Sequence, residues 1–337
     1  MNRIHFVGRL LPRTTILSLI TAIGVAFSQS SACAGSVKFI ALGDLPYTGE
    51  QQQKLDDEIG PAIRTANAAF VIHYGDFKKG SAPCTEKTVG AALDEIFSLS
   101  SKVIYTPGDN DWADCDRKST GSPVSELFML DRLRNQLKNR LVSQRDTLPK
   151  LQHQPLFVEN AIWSSGKIVF VTLHMVGTNN GRDEILLDKK KLARTLVQAR
   201  DFANRVWLKK AWHRAVDDHA KAIVVISQAD PTSNKRSGTC KFDGGDCDGY
   251  KYMKKKLREV AANWGKPMLY IHGDTNPYCL DKGFGGDDAP KLWRLNATGD
   301  YAVVDATSIE MSWKNDSNDV SFDIRSLLGG QAPADGC

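Results

Sequence analysis

The sequence predicts an α/β fold in which two sheets pack face to face with helices outside. Three observations predict it. Four apolar runs each close on a Gly-Asp pair, helix-like stretches alternate with them, and the region after Asp274 reads as consecutive strands. Short apolar runs bounded by Gly read as buried strands, and strands joined by helices read as a parallel or mixed sheet covered on both faces. Strands are expected near 36–42, 69–73, 103–106, 167–173, 222–226 and 267–271. Helices are expected over 51–67, 86–99, 123–143, 199–217 and 250–263, with Ser122-Pro123 starting the third. Later strands are expected at Leu292-Trp-Arg-Leu-Asn, Tyr301-Ala-Val-Val-Asp and Val320-Ser-Phe-Asp-Ile, with another over Phe157 to Trp163.

The first residues read as a secretory leader. Arg3, Arg9 and Arg13 precede an apolar run from Thr15 to Phe27, and Ala32-Cys33-Ala34 supplies a small-x-small cleavage site. Residues 1–34 are therefore expected to be a signal peptide and 35–337 a single domain, secreted or periplasmic. Past Cys33 there are six cysteines, Cys84, Cys115, Cys240, Cys247, Cys279 and Cys337. An even number in a secreted chain points to disulfides. The expected pairs are Cys84–Cys115, Cys240–Cys247 and Cys279–Cys337. The first two cysteines each follow a Gly-Asp turn, the second pair closes a short loop, and the last pair is what remains.

Net charge is +5, without a long block of one sign. Lys189-Lys190-Lys191 and Lys254-Lys255-Lys256 are the densest runs and are expected to be solvated helix faces. No nucleic-acid partner and no stable membrane anchor are expected. The sequence contains no Gly-x-Ser-x-Gly elbow, P-loop or dinucleotide fingerprint.

The chemistry is expected at the ends of the strands. In open α/β sheets, ligands gather beyond the carboxyl ends of the strands. The Gly-Asp pairs Gly43-Asp44, Gly75-Asp76, Gly108-Asp109 and Gly273-Asp274 would set four carboxylates there. Such carboxylates repel one another unless a cation joins them, and hard cations prefer oxygen ligands. His174 ends a strand and leads into the polar loop Val176-Gly-Thr-Asn179-Asn180-Gly181 on the same edge. His73, inside its strand, is expected to hydrogen-bond structurally, and His213 and His219 to lie on the surface.

The order of Asp44, Gly75-Asp76, Gly108-Asp109-Asn110-Asp111 and His272-Gly273-Asp274, with Val206-Trp207-Leu208 on a helix before the strand at Ala222, resembles the calcineurin-like metallophosphoesterases. The likeness spans about residues 36 to 305. It implies a four-layer αββα sandwich of two mixed sheets and two divalent metal ions that activate a hydroxide. It further implies a small-molecule phosphomonoester or phosphodiester as substrate. On this resemblance the metal ligands are Asp44, Asp76 as the bridge, Asp109, His272 and Asp274. Asn110, Asp111 and His174 are the catalytic candidates, His174 as a replacement proton donor.

The chain departs from the family where His ligands are usual. Pro46 stands in the first motif and Asn110 in the third, and Gln228 or Asp230 occupies the place of the isolated His. Tyr47 offers a further oxygen. The remaining donors favour Mn²⁺, Mg²⁺ or Ca²⁺ over zinc or iron. The alternative function is a catalytically attenuated metal- or phosphate-binding protein of the same fold.

Overall fold

A computed structural model describes residues 34–144, 147–233, 235–241 and 246–337, together with Met1 and Gly8. The expected leader lies outside the described residues. All elements belong to one compact unit, Cys33–Cys337.

The strands are β1 (Ala34–Leu42), β2 (Val71–His73), β3 (Val103–Tyr105), β4 (Gln152–Gln154), β5 (Phe157–Ser165), β6 (Ile168–Thr172), β7 (Ala222–Ile226), β8 (Met268–His272), β9 (Cys279–Asp281), β10 (Leu292–Asn296), β11 (Thr307–Lys314), β12 (Val320–Ser326) and β13 (Ala334–Asp335). The helices are α1 (Gly49–Lys54), which runs through a π turn into α2 (Gly60–Thr65), then α3 (Glu86–Ser98), α4 (Glu126–Gln144), α6 (Lys190–Asp217) and α7 (Lys251–Trp264). Between β6 and α6, the single turn α5 (Gly177–Gly181) is left-handed at Thr178, Asn179 and Asn180.

One sheet runs β12-β11-β1-β2-β3 and the other β13-β9-β10-β8-β7-β6-β5-β4. Both are mixed. β1, β2 and β3 are parallel, as are β6, β7, β8 and β10, and antiparallel strands extend each set.

The period-2 alternation of a strand divides the core into layers. In β1, Phe39 and Ala41 enter the cluster between the sheets, where Phe70, Trp163, Phe170 and Met311 also lie. Ile40 and Leu42 point the other way, to Val89, Leu93, Leu133 and Leu137 of α3 and α4. In β6, Ile168 and Phe170 face the inter-sheet core. Val169 and Val171 face Trp207, Leu208, Met253 and Leu257 of α6 and α7. Three apolar layers between two sheets and two helix sets make a four-layer αββα sandwich, the fold class expected from the sequence.

Boundaries differ in informative ways. Helix α4 starts at Glu126, not at 123, because the Ser125 hydroxyl accepts from the Phe128 amide and caps it. Helix α6 starts at Lys190, nine residues before the expected start, through a stretch rich in good helix formers. Tyr301-Ala-Val-Val-Asp is not a strand. Only a bridge between Gly299 and Val303 forms there, and the strand comes next, over Thr307–Lys314, with clean alternation of burial.

All three expected disulfides are present: Cys84–Cys115, Cys240–Cys247 and Cys279–Cys337. The last one ties β13 to β9 at the sheet edge. Such a set fits a secreted or extracellular protein folded under oxidising conditions. Among the described residues, no helix is long and apolar enough to cross a membrane.

Candidate metal centre

The carboxyl ends of both parallel strand sets open onto one cleft. From one sheet, β1, β2 and β3 deliver Asp44, Asp76 and Asp109. From the other, β8 delivers Asp274 and β7 delivers Gln228. One oxygen from each of Asp76, Asp109 and Asp274 lies within 4.8 Å of the others. Asp44 adjoins them. Its Oδ2 accepts from the Asp274 amide at 2.9 Å, and its Oδ1 lies 3.3 Å from the Tyr47 hydroxyl.

Local backbone geometry explains the convergence. Asp44, Asp76 and Asp274 are left-handed, at φ 54°, 58° and 70°. Asp tolerates that region better than most residues, and the bend turns each carboxylate back over its strand end. Two of the neighbouring glycines are needed for close approach. A Cβ on Gly273 would lie 1.7 Å from Asp44 Oδ2, and one on Gly177 would lie 2.4 Å from Asp274 Oδ1.

The Gln228 side chain answers the choice left between it and Asp230. Its Oε1 accepts from the Gly177 amide at 2.6 Å, so its NH₂ faces the carboxylates. That NH₂ lies 3.1 Å from Asp76 Oδ2, 3.0 Å from Asp109 Oδ1 and 3.1 Å from Asp274 Oδ1. Asp230 is committed elsewhere. It accepts from Arg294 at 2.8 Å, from the Thr232 amide and hydroxyl at 2.7 Å each, and from Thr275 at 2.9 Å.

The electrostatics follow from burial, which outweighs the charge of the buried Lys78 near Asp76 and Asp109. Burial first, and then Asp300 and Asp109 nearby, push the Asp44 carboxyl up to about 7 against the help of the Asp274 amide. Asp76 and Asp274 are also raised well above the carboxylate range, again by burial and then by Asp109 and Asp44. The cleft, about 340 Å³, is further lined by Asp114, Asp183, Glu184 and Asp300. Among the described residues, Arg117 is the only basic one along its lining, and it is already paired with Asp114 and Glu184.

Asn110 lines the cleft. Its amide donates to Asp76 Oδ1 at 3.0 Å, and its side-chain NH₂ donates to the Tyr47 hydroxyl at 3.3 Å. Three expected site residues do not face the cleft.

Asp111 is a brace. Its carboxylate accepts from the amides of Asp76, Phe77 and Gly108 at 3.0, 3.0 and 2.8 Å and from the Tyr105 hydroxyl at 2.8 Å. It holds two Gly-Asp turns together and has no free face for catalysis.

His272 shares the strand face of Tyr270, on which it stacks, and so turns away from the carboxylates. Its Nδ1 bonds the Gly273 carbonyl at 2.7 Å and its Nε2 lies 3.5 Å from Arg294.

His174 is completely buried behind Trp112, with its Nδ1 2.7 Å from Glu159, which Arg134 also pairs. Burial, and then Arg200, hold its ring down to about 4, so it is a neutral structural base at pH 7. Asn179 likewise bonds Cys247 and Gly249 rather than the cleft. His73 accepts from the Gly75 amide at 3.1 Å, the structural role expected of it.

Thr178, Asp114 and Arg117 belong to the cleft without having been expected there. The Thr178 hydroxyl lies between Asp109 and Asp114 and accepts from Arg117 at 2.8 Å. A β-branched residue at φ 53° is unusual and persists only where its surroundings hold it. The available signal was the density of acids after Gly108, at Asp109, Asp111, Asp114 and Asp116.

The burial of His174 and His272 gives a first prediction. Both stay neutral in the folded chain to about pH 4, whereas an unfolded imidazole protonates near 6.5. The unfolded state therefore takes up protons first as pH falls. The stability that these groups contribute is fully present above about pH 6.5 and is lost between there and pH 4. His174→Ala should lower stability by about 2 kcal/mol at pH 7 and flatten that acid decline, as read by urea unfolding at several pH values. An unchanged slope would mean that His174 is not buried neutral.

No protein-family model and no curated protein matches the chain. Among solved structures, GAP50, described as the anchor in the inner membrane complex of Plasmodium, is similar at a TM-score of 0.41 and 12% identity, over 88% of this chain and 86% of that one.

Proposed function

We propose that the cleft binds hard divalent cations and that the chain is a secreted or periplasmic phosphoesterase acting on small phosphomono- or phosphodiesters. One observation carries this reading: the mutual approach of Asp76, Asp109 and Asp274 in the lining of an acidic cleft. The donors fit such ions. They are carboxylate oxygens supplemented by the Tyr47 hydroxyl, with no imidazole in the lining, which favours Mn²⁺, Mg²⁺ or Ca²⁺ over zinc or iron. Asp76, Asp109 and Asp274 would hold one ion, and Asp44 with Asp76 the second. Bound cations would neutralise phosphate charge and acidify a water.

The chain's own residues would do the rest. The Asn110 amide fixes Asp76 Oδ1 and leaves Oδ2 toward Tyr47 and Gln228. The Tyr47 hydroxyl is raised well above its usual range by burial and then by Asp76 and Asp44, so it keeps its proton, donating toward Asp44 and Asp76 while accepting from Asn110. With His174 buried, the leaving-group proton would come from water. Turnover by His174→Ala should then fall equally, if at all, on poor and good leaving groups.

The test is turnover of p-nitrophenyl phosphate and its bis ester by metal-stripped protein refilled with Mn²⁺, Mg²⁺, Ca²⁺ or Zn²⁺. Activity is expected with the hard cations, and Asp76→Asn should lower it at least about 100-fold. Silence with every cation from about pH 5 to 9 would overturn the catalytic reading. The attenuated metal-binding protein would then remain, a reading favoured by the turn of His272 and His174 away from the carboxylates.

A further inference from the structure

Helices α6 and α7 collect positive charge that the rest of the chain lacks. α6 carries eight basic and two acidic side chains, and α7 carries five and one. The whole chain has a net charge of only +5, so the remainder is acidic on balance. The same surface exposes large apolar side chains. Phe202 is 62% exposed and Tyr252 49%, with Leu192, Leu196 and Val206 close to half exposed along α6. These are not scattered singles. The Arg205 guanidinium lies 3.9 Å over the Tyr252 ring and 5.4 Å over the Phe202 ring, joining the two helices in one stack. Concavities of about 860 and about 300 Å³ flank that stack. Lys191 and Lys251 edge the first, Lys209 and Lys255 the second.

We propose that this α6–α7 face docks the protein on an anionic lipid surface. The charge is of the complementary sign, and the choice of side chains selects the partner. Most of the exposed cations are lysines, which protein–protein interfaces deplete in favour of Arg. Lysines above exposed aromatic and aliphatic groups suit a headgroup layer. The stems lie along the apolar boundary, the ammonium groups reach lipid phosphates, and Phe202 and Tyr252 enter the interface. The proposed attachment is peripheral, through side chains of one surface; among the described residues, no helix is long and apolar enough to cross a bilayer. Nothing in this proposal depends on the chemistry of the carboxylate cleft.

The test is sedimentation with vesicles of phosphatidylcholine alone or mixed with phosphatidylglycerol, using residues 34–337, which contain every sheet, core and disulfide described above. Removing the leader keeps its apolar run from binding lipid on its own account. Binding to the anionic vesicles and not to the neutral ones is expected, weakening with salt. Each basic side chain near such a surface contributes about fivefold. The double variant Lys209→Glu/Lys255→Glu should therefore bind at least tenfold more weakly with its Tm unchanged. Phe202→Ser should weaken vesicle binding without altering retention on a soluble polyglutamate or heparin column. Absence of binding, equal binding to neutral vesicles, or unchanged binding by the charge-reversal variant would overturn the proposal. If Lys209→Glu/Lys255→Glu lowers Tm, Lys209→Gln/Lys255→Gln replaces it, with the same reading. Retention on polyanion columns without any vesicle binding would point to an acidic polymer and would also overturn it.

Discussion

Millimolar Mn²⁺, Mg²⁺ or Ca²⁺ should raise the Tm of the metal-free protein by several degrees at pH 8, and by much less at pH 5. Ligand at 100 times its Kd stabilises by about 2.7 kcal/mol. For a chain of this size that is roughly 5 °C. The pH dependence comes from the same carboxylates. Asp44 keeps its proton to about pH 7 in the folded chain, and Asp76 and Asp274 hold theirs beyond the normal range. Unfolded Asp loses its proton near 3.9. Between those values the folded state holds more protons, so metal-free stability falls as pH rises from about 4 to 7. A cation replaces those protons and reverses the trend, whereas at pH 5 it must compete with them. Asp274→Asn separates the two effects. It should stabilise the metal-free protein at pH 8 by relieving repulsion, and it should abolish most of the cation-induced rise. Differential scanning calorimetry with and without EDTA reads both. If no cation shifts the wild type at pH 8, or Asp274→Asn shifts as far as the wild type does, the three carboxylates are not a cation site.

Much of this arrangement was legible in the sequence, because it is written locally. An apolar run followed by Gly-Asp fixes a strand, its end and a carboxylate at that end, so Asp44, Asp76, Asp109 and Asp274 could be brought to one edge without coordinates. The Cys84–Cys115 pair followed from the same reasoning. What was not legible depends on orientation. His272 is two residues from Asp274, yet Asp274 is bent back by its left-handed backbone while His272 keeps the strand's alternation. His174 follows β6 at the same edge, but Glu159 on the adjacent strand β5 draws its ring inward. Asp111 reads in the sequence as a catalytic candidate beside Asp109, and only the three amides aimed at it reveal a brace. The four-residue stretch Arg117 to Thr120 and the turn at Thr178 lie far apart in sequence, so the Arg117–Thr178 contact had no local signature.

Gln228 and Asp230 illustrate that limit and yield the second large effect. Both follow β7, both are buried, and the sequence could not choose between them. Asp230 forms a buried ion pair with Arg294, which is 4% exposed and whose other carboxylate neighbour among the described residues is Asp281, at 3.7 Å. Burial disfavours the Asp230 charge, but His272, Thr232 and Arg294 together hold its carboxyl at about 2. Removing one member of such a pair typically costs about 3–5 kcal/mol, because the other charge is left unpaired. Asp230→Asn should therefore lower Tm by roughly 5–8 °C while leaving the cation-induced rise intact. Gln228→Glu makes the opposite charge change two residues away. Its new oxygen would replace the NH₂ that now faces Asp76, Asp109 and Asp274. A further carboxylate in that cluster adds repulsion when no metal is present and a ligand when one is. The metal-free variant should be less stable than wild type at pH 8, and its cation-induced rise should be larger. Measured side by side, the two variants test the placement of both side chains. Loss of the cation response in Asp230→Asn, with an unaltered response in Gln228→Glu, would move the site from Gln228 to Asp230.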